Sequence, residues 1–341
     1  MKALTVLAAL ALTTSSAMAM DTVMGLKGRF DYVRSETETT PGSKDSSGVL
    51  TTSYLRLVTE AKLNDTTTAK LTLDLKDSST SRDNGLSDFV DEAFITKSFG
   101  ALNVMIGKQA PMVGGRENDY SSRDVYILSS FNDKIPGTLT GVSVGYTMAG
   151  QNVYLQYLQQ TDSAQGATGT FTDKKVVGVA YYGDFMNKML MPILSYHKAG
   201  TDRAGAYDSY MAAGLRVNVA SFIIEADYLM LEQEKLSVKG DAELKSMVAH
   251  VRYAHENFQP FVKYIKEDGK KGFQGIVSGS TTSERTAFEV GLEYIPNKDE
   301  DMRYHIVYNN AEAKKKSPAP TSKVEDQKIY AGIAFNYNIL K

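Results

Sequence analysis

Apolar and polar residues alternate along most of the chain with a period of two. In residues 328–339, for example, Ile333, Phe335 and Tyr337 fall on one face, while Asn336 falls on the other. A β-strand produces this pattern because its successive side chains point to opposite faces, whereas an α-helix repeats every 3.6 residues. The stretch therefore predicts a β-strand.

Similar stretches recur throughout the chain and together predict sixteen strands. Their approximate spans are 22–33, 52–62, 68–76, 89–97, 102–109, 140–149, 152–160, 175–182, 189–197, 209–219, 221–231, 244–254, 258–265, 285–294, 302–309 and 328–339. Most of these spans are 8 to 12 residues long, which is the length that a tilted strand needs to cross a bilayer. No segment has the roughly 18 consecutive apolar residues of a transmembrane helix.

The connections between the predicted strands alternate between short turns and long loops. The long loops include residues 34–51 and 310–327, and the longest is residues 110–139. An even number of strands, with short turns at one end and long loops at the other, is typical of barrels in bacterial outer membranes. The loop pattern therefore indicates a membrane barrel.

The chemistry of the two strand faces supports the same interpretation. The polar face carries many charges, and the apolar face ends in Tyr and Phe. In a bilayer the apolar face points outward to lipid, and Tyr suits the interface because its ring is apolar and its hydroxyl is hydrated. We therefore expect an all-β chain that forms a sixteen-stranded antiparallel transmembrane β-barrel. A soluble secreted β protein is the alternative to this membrane interpretation.

The N-terminus has the features of a secretory signal peptide. Lys2 supplies a positive start, Ala3–Leu12 is almost wholly apolar, and Ala17–Ala19 fits the small-x-small cleavage rule. These features predict a cleaved signal peptide at residues 1–19 and a barrel domain at residues 20–341.

The composition argues against several other classes of protein. The formal net charge of −2 argues against nucleic-acid binding, and the absence of Cys excludes a disulfide scaffold and a cysteine nucleophile. The four His lack the spacing of zinc proteases, and there is no P-loop or dinucleotide motif. Gly114 and Gly115 indicate loop flexibility rather than a phosphate cradle. We therefore expect no metal, no cofactor and no catalytic residues, and a protein that is not an enzyme.

Several predicted strands resemble those of a known family. Residues 23–32 are similar to its first strand, residues 53–57 to its second, residues 92–109 to its fourth and fifth, and residues 141–146 to its sixth. On these stretches the chain resembles the general, non-specific porins of Gram-negative outer membranes. The resemblance implies a homotrimer in the outer membrane, in contact with lipid and lipopolysaccharide. It also implies a third long loop that folds inward, and a water-filled channel for passive diffusion of ions and small hydrophilic solutes.

The C-terminal residues resemble the signal that the barrel assembly machinery recognises in this family. The matching positions are Tyr330, Gly332, Phe335 and Tyr337. The family usually stops at a terminal Phe, whereas this chain continues through Asn338–Lys341. The chain also lacks Trp, so the aromatic girdles would consist of Tyr and Phe.

By the same resemblance, the loop at about 110–139 is the constriction loop. Its acidic residues are Glu117, Asp119, Asp124 and Asp133, and the basic residues expected on the facing wall are Lys27, Arg29, Arg56, Lys70 and Lys108. Acids on one side and bases on the other would create a transverse field at the narrowest point. Pairing of loop acids with loop arginines such as Arg116 and Arg123 would mute that field.

Other functions for a barrel of this kind remain open. A substrate-selective channel for sugars would show an aromatic row along the lumen, and the Tyr residues expected to face inward are too scattered for one: Tyr54, Tyr154, Tyr181 and Tyr330. A phosphate channel would show a basic cluster, whereas the signs here are mixed. A structural or adhesin barrel with a narrow or plugged pore, and an enzyme barrel, are further alternatives. The run Lys314–Lys316 is expected in the last long loop as a solvated surface segment, and binding to surface lipopolysaccharide or a phage is the alternative.

Overall fold

The computed structural model describes residues 21–40, 42–76, 89–160, 174–200, 206–234, 242–270, 282–297, 301–317 and 323–340. The predicted signal peptide lies outside these residues. These residues contain sixteen strands: β1 Asp21–Thr40, β2 Ser43–Asn64, β3 Thr67–Asp74, β4 Val90–Phe99, β5 Leu102–Gln109, β6 Leu139–Met148, β7 Gln151–Gln160, β8 Lys174–Gly183, β9 Leu190–Gly200, β10 Tyr207–Val219, β11 Phe222–Gln233, β12 Ala242–Tyr253, β13 Phe258–Lys270, β14 Thr282–Tyr294, β15 Met302–Ser317 and β16 Lys323–Leu340.

All sixteen strands join into one closed antiparallel barrel. Each strand pairs with its neighbours in sequence, and β1 closes the sheet against β16, where Leu26 lies opposite Tyr337. Closure gives every strand a partner on both sides, which lipid requires because it offers no hydrogen bonds to a free strand edge. The predicted barrel and strand number are confirmed. Among the described residues, no helix combines the length and the hydropathy needed to cross a membrane.

The outer face of the barrel is an apolar belt. Along β13, Val262 and Tyr264 point outward and are exposed. The alternate residues, Lys263 and Ile265, point into the barrel and are buried. The next outward residue of β13 is the charged Lys266, and the apolar belt ends there. The same change from apolar to polar occurs on neighbouring strands, at Arg34, Lys198, Lys245 and Asn310. This border marks the level at which the strands leave the hydrocarbon.

Two connections that the sequence predicts as long loops are largely strand. In place of the predicted loop 34–51, β1 continues past the belt to Thr40 and β2 starts at Ser43. In place of the predicted loop 310–327, β15 runs to Ser317 and β16 starts at Lys323. Both faces of these extensions lie outside the bilayer, so their sequences need no alternation of apolar and polar residues. Together they raise one side of the barrel into a tall sheet.

The hydrophobic core lies inside the barrel rather than between layers. Val113 and Phe131, from the segment between β5 and β6, are almost fully buried against inward-facing residues of the wall. Those wall residues include Leu158, Val176, Leu229, Leu231, Leu244 and Ile265. Burial of one such aromatic or aliphatic side chain contributes roughly 1.5–3 kcal/mol. The interior therefore holds the segment by packing as well as by polar contacts.

Candidate functional site: the loop inside the barrel

Residues 110–138 form a single connection, here called the inner loop, that folds into the lumen between β5 and β6. It contains three short 3-10 helices, Arg116–Asp119, Ser122–Asp124 and Asn132–Lys134. The inner loop first contacts β9 and β11, then crosses to β1 and β15, and returns along β13 to β10. It therefore reaches opposite sides of the wall and divides the lumen.

The first anchor of the inner loop is a carboxylate of the wall. Asp227 on β11 accepts hydrogen bonds from the backbone N–H groups of Arg116, at 2.6 Å, and Glu117, at 2.8 Å. Gly115 permits this approach, because a Cβ there would lie 2.3 Å from the Asp227 carboxylate. This glycine therefore serves close contact with the wall rather than the flexibility that the sequence indicates.

Glu117 lies on the anchored side of the inner loop. Its carboxylate is 2.6 Å from the ammonium group of Lys263 on β13 and accepts hydrogen bonds from the backbone and hydroxyl of Ser129 and from Asn132. Only 1% of the Glu117 side chain is exposed. This placement differs from the expectation that Glu117 faces the channel, because a buried carboxylate is stable only beside a cation and hydrogen-bond donors.

A second buried carboxylate on β13 holds the returning part of the inner loop. Glu267 accepts hydrogen bonds from the backbone N–H of Ser130, at 2.7 Å, and from its hydroxyl, at 2.8 Å. Arg285 on β14 pairs with Glu267 at 2.6 Å and also donates to the carbonyl of Leu128. These contacts fix residues 128–130 against the wall.

The far end of the inner loop is held by β1 and β15. Arg29 donates to the carbonyls of Ser122, Arg123 and Val125, at 3.2, 3.0 and 2.6 Å, and pairs with Asp31 at 2.9 Å. Arg29 faces inward, as the sequence predicts, but the inner loop covers it and leaves the residue 6% exposed. It is an anchor of the loop rather than an open part of the channel wall.

Asp124 and Asp119 each pair with an arginine. Asp124 accepts from Arg123 at 2.9 Å and also contacts Arg303 on β15. Burial raises the pKa of Asp124 less than the nearby arginines lower it, so the net direction is downward. Asp119 pairs with Arg116 at 2.6 Å.

Asp133 is the remaining predicted acid of the inner loop. It is exposed and forms no ion pair with a described residue. The loop acids therefore do not form a common row that faces the predicted basic wall.

The predicted wall bases also pair locally. Arg56 lies opposite Lys27 and pairs with Asp91 at 2.7 Å and with Asp74 at 3.9 Å. Lys70 pairs with Glu92 at 2.8 Å. The transverse field expected from the sequence is therefore muted, because acids on the same wall neutralise Arg56 and Lys70.

Lys108 differs from the expected inward position. Lys108 lies two residues after Ile106 on the same strand, so it shares the outward face on which Ile106 is exposed. Its ammonium group donates to the carbonyl of Val90 at 2.5 Å. The residue before it, Gly107, has a φ of +137°, and a Cβ there would lie 2.3 Å from the carbonyl of Ala93. Lys108 is thus not in the row of Lys27 and Arg56. Tyr181, also expected inside, belongs to the outward row with Val179, while Tyr182 faces inward.

The two sides of the inner loop differ in their access to water. Between the loop and β11–β14 lies a small, partly enclosed cavity of about 20 Å³, which is room for about one water molecule. On β2–β4 the side chains of Arg56, Asp74 and Lys70 are 26%, 34% and 31% exposed. The open part of the lumen therefore lies beside β2–β4, and the side toward β11–β14 is sealed.

The sequence does not identify the residues that anchor the inner loop. The anchoring residues all lie on the inward faces of their strands: Asp227, Lys263, Glu267, Arg285 and Arg303. Alternation along the predicted strands could have placed them in the lumen. It carries no signal for which loop residue each of them meets.

Comparisons with known proteins give one family and many similar structures. Residues 25–183 match the family described as phosphate-selective porin O and P. A search of curated proteins finds no match. Two similar solved structures are the anion-selective porin from Comamonas acidovorans, with 14% identity, 93% and 100% of the two chains covered and a TM-score of 0.64, and the outer membrane channel DcaP of Acinetobacter baumannii, with 13% identity, 93% and 97% coverage and a TM-score of 0.63.

A third similar structure is OmpT, an outer membrane protein of Vibrio cholerae, in its trimer form. It has 12% identity, 92% and 99% coverage and a TM-score of 0.61. At these identities the likeness concerns the fold. It extends over nearly the whole length of each chain.

Proposed function

We propose that the chain is a porin of Gram-negative outer membranes, and that water and solutes pass between its inner loop and the wall of β2–β4. We further propose that this path admits ions and small hydrophilic solutes with little preference for the sign of their charge. The observation that carries the proposal is the local pairing of Arg56 and Lys70 with acids of the same exposed wall. Paired charges of opposite sign leave a weak net field for a passing ion.

Anion selectivity is the second candidate, since the matching family is described as phosphate-selective. It would require cations on the channel wall that are free of acidic partners. Lys27 forms no ion pair with a described residue, and it lies beside the paired Arg56. If Lys27 sets the field in the channel, the channel prefers anions. If the ion pairs of Arg56 and Lys70 set it, the channel shows no such preference.

Planar-bilayer recording of the refolded protein separates these candidates. We expect discrete conductance steps, often closing in groups of three, and a reversal potential close to zero across a KCl gradient. A large reversal potential toward that of chloride would replace our proposal with anion selectivity. Folded protein that gives no steps would favour a plugged or structural barrel.

We propose a homotrimer as the assembled form. The trimer form of the similar OmpT structure supports this state. Light scattering of the detergent-extracted protein should give the protein mass of three chains, and a mass of one chain would contradict it.

Lipopolysaccharide and the barrel assembly machinery are the proposed partners. Lys198, Lys245 and Lys266 stand at the border where the outward faces leave the belt, and cations at this level suit the anionic groups of surface lipids. Phe335 packs beside Phe30, and Tyr337 is exposed on the outer face, which leaves part of the proposed C-terminal signal accessible. We propose a channel that carries out no catalysis, as its fold and family suggest.

A further inference from the structure

The inner loop leaves a partly enclosed cavity of about 210 Å³ against the wall of the lumen. On one side it is bounded by β4, β5, β8 and β9, and on the other by the first part of the inner loop. We call it the loop-side cavity. Its lining side chains of most interest are Glu92, Phe94, Met105, Met112, Asp119 and Tyr182.

The body of the loop-side cavity is apolar and partly aromatic. Phe94 and Met105 come from the wall, Met112 comes from the inner loop, and the ring of Tyr182 closes the side toward β8. An apolar cavity of about 150 Å³ is enough to bind benzene. The loop-side cavity is larger, so it accommodates one aromatic ring together with a short chain.

Two carboxylates, those of Glu92 and Asp119, line this apolar body. The Oε2 atom of Glu92 pairs with the ammonium group of Lys70 at 2.8 Å and accepts a hydrogen bond from the hydroxyl of Thr72 at 3.1 Å. Asp119 uses its Oδ2 atom for Arg116 at 2.6 Å. The second oxygen of each carboxylate has no partner among the described residues, and both side chains keep some exposure, 19% and 26%.

The charges that line the loop-side cavity are of one sign. Its described lining contains Glu92 and Asp119 and no Lys or Arg. The cationic partners of these acids, Lys70 and Arg116, do not line the cavity, and Arg116 also donates to the carbonyls of Met191 and Pro192. A ligand cation therefore finds free acceptor oxygens, whereas a ligand anion meets two carboxylates.

We propose that the loop-side cavity binds small organic cations that carry a single aromatic ring or a similar apolar group. This inference rests on the proposed diffusion path, since the solute reaches the cavity through the lumen. The ring lies against Phe94, Met105 and Tyr182, and the ammonium group donates to Glu92 or Asp119. A solute held in this way would slow its own passage and obstruct small ions while bound.

The test uses 2-phenylethylammonium as the probe in single-channel recordings in KCl. We expect reversible, concentration-dependent block by this cation. Ethylammonium lacks the ring and should require about a tenfold higher concentration for the same block. Burying a ring contributes at least about 1.4 kcal/mol, which corresponds to a tenfold change in affinity. Phenylacetate, which has the ring and the opposite charge, should not block.

Isosteric variants test the carboxylates. Asp119→Asn and Glu92→Gln should each raise the blocking concentration about tenfold, the effect of losing one charge-assisted hydrogen bond. Glu60→Gln is the matched control, since Glu60 is an exposed carboxylate opposite Lys70 in register and does not line the cavity. It should leave the block within about twofold.

The outcomes separate the cavity from the channel. Equal block by phenylacetate, or unchanged block in both isosteric variants, would overturn the proposed site while leaving the conductance intact. Protein without conductance would overturn the diffusion path, and calorimetry of the detergent-solubilised protein would still report binding of the probe. If a variant fails to fold, as shown on gels by loss of its heat-modifiable band, the comparison of the three probes on the unchanged chain decides the question.

Discussion

At the scale of single residues, the lumen is organised by buried charges that fix one loop. Asp227, Glu117 and Glu267 are nearly inaccessible to water, and each accepts several hydrogen bonds. Removing a partner from such a group costs far more than removing a surface ion pair, because the remaining group stays buried without compensation. These residues should therefore control how steady the channel is, although none of them lines its open side.

Asp227→Asn tests this control. The amide can offer one acceptor oxygen in place of two, so one backbone N–H of Arg116 or Glu117 loses its partner at a cost of about 1–3 kcal/mol. We expect open channels whose current fluctuates more than that of the unchanged chain, while the barrel still folds. Current noise in single-channel recordings measures the effect, and unchanged noise in a folded variant would show that Asp227 does not steady the loop.

Gly332→Ala tests close packing between strands. A Cβ at Gly332 would lie 2.1 Å from the carbonyl oxygen of Phe30 and 2.9 Å from the ring of His305, so the backbone of β1 or β16 must shift. We expect a lower yield of folded barrel, read from the heat-modifiable band on gels. Gly137→Ala is the control, since nothing lies within 4 Å of its Cβ position. Equal folded yields for the two variants would contradict the argument.

At the scale of elements, the barrel combines a belt in lipid with strand extensions outside the membrane. The extension of β15 and β16 carries an ion-pair ladder in which Glu312 contacts Lys314 and, at 2.8 Å, Lys323. Hydrogen bonds from Lys314 and then Lys323 hold the pKa of Glu312 below its ordinary value. The ionised carboxylate therefore stabilises the folded hairpin, by a modest amount because the group is exposed.

The pH dependence of this hairpin follows from the sign of that shift. A lowered pKa stabilises the fold at pH values above the ordinary pKa of Glu, and the stabilisation is lost as pH falls through the lowered value. We expect amide exchange in residues 310–314, corrected for intrinsic rates, to lose protection at acid pH while β6 and β7 keep theirs. Glu312→Gln should remove most of this pH dependence, and an unchanged profile would refute the role of the ladder.

The sequence predicts those elements that face two different solvents. Strands such as β13 and β14 have lipid on one face and the lumen on the other, so alternation marks them clearly. The extensions of β1, β2, β15 and β16 have water near both faces, and no alternation distinguishes them from loops. The predicted loop at 34–51 is wrong for this reason.

The inner loop shows where sequence reasoning about the site ends. Its position and approximate bounds are predictable from length and family resemblance, and so are the inward faces of Arg29, Arg56 and Lys70. The partners of Glu117 and Asp124 are not, since Lys263 and Arg303 are brought near only by closure of the barrel. The inward placement of Lys108 rests on the family resemblance, whereas alternation along β5 puts Lys108 on the same outward face as Ile106.

At the scale of the whole molecule, the inner loop makes the lumen asymmetric. One wall is sealed by anchors and apolar packing, and the opposite wall keeps its charges in contact with water. Solute access should therefore depend on which side of the loop a residue lies, even for residues at similar depth.

Single-cysteine variants test this asymmetry, because the chain has no Cys of its own. A charged, water-soluble thiol reagent should label Lys70→Cys readily and Glu289→Cys at least about tenfold more slowly, since a buried thiol forms little reactive thiolate. Val290→Cys, on the outer belt, should react only with a lipophilic reagent. Equal labelling of the Lys70 and Glu289 positions by the water-soluble reagent would show that the loop does not seal that side.

The pairing of β1 with β16 has a consequence for how the protein is made. The first strand of the barrel to be synthesised has a free second edge until the last strand pairs with it, so almost the whole chain separates the two partners. A chain released before its final strand would present two open edges, which lipid does not accommodate. The final strand thereby marks the point at which the barrel can close, because no other described strand pairs with the second edge of β1.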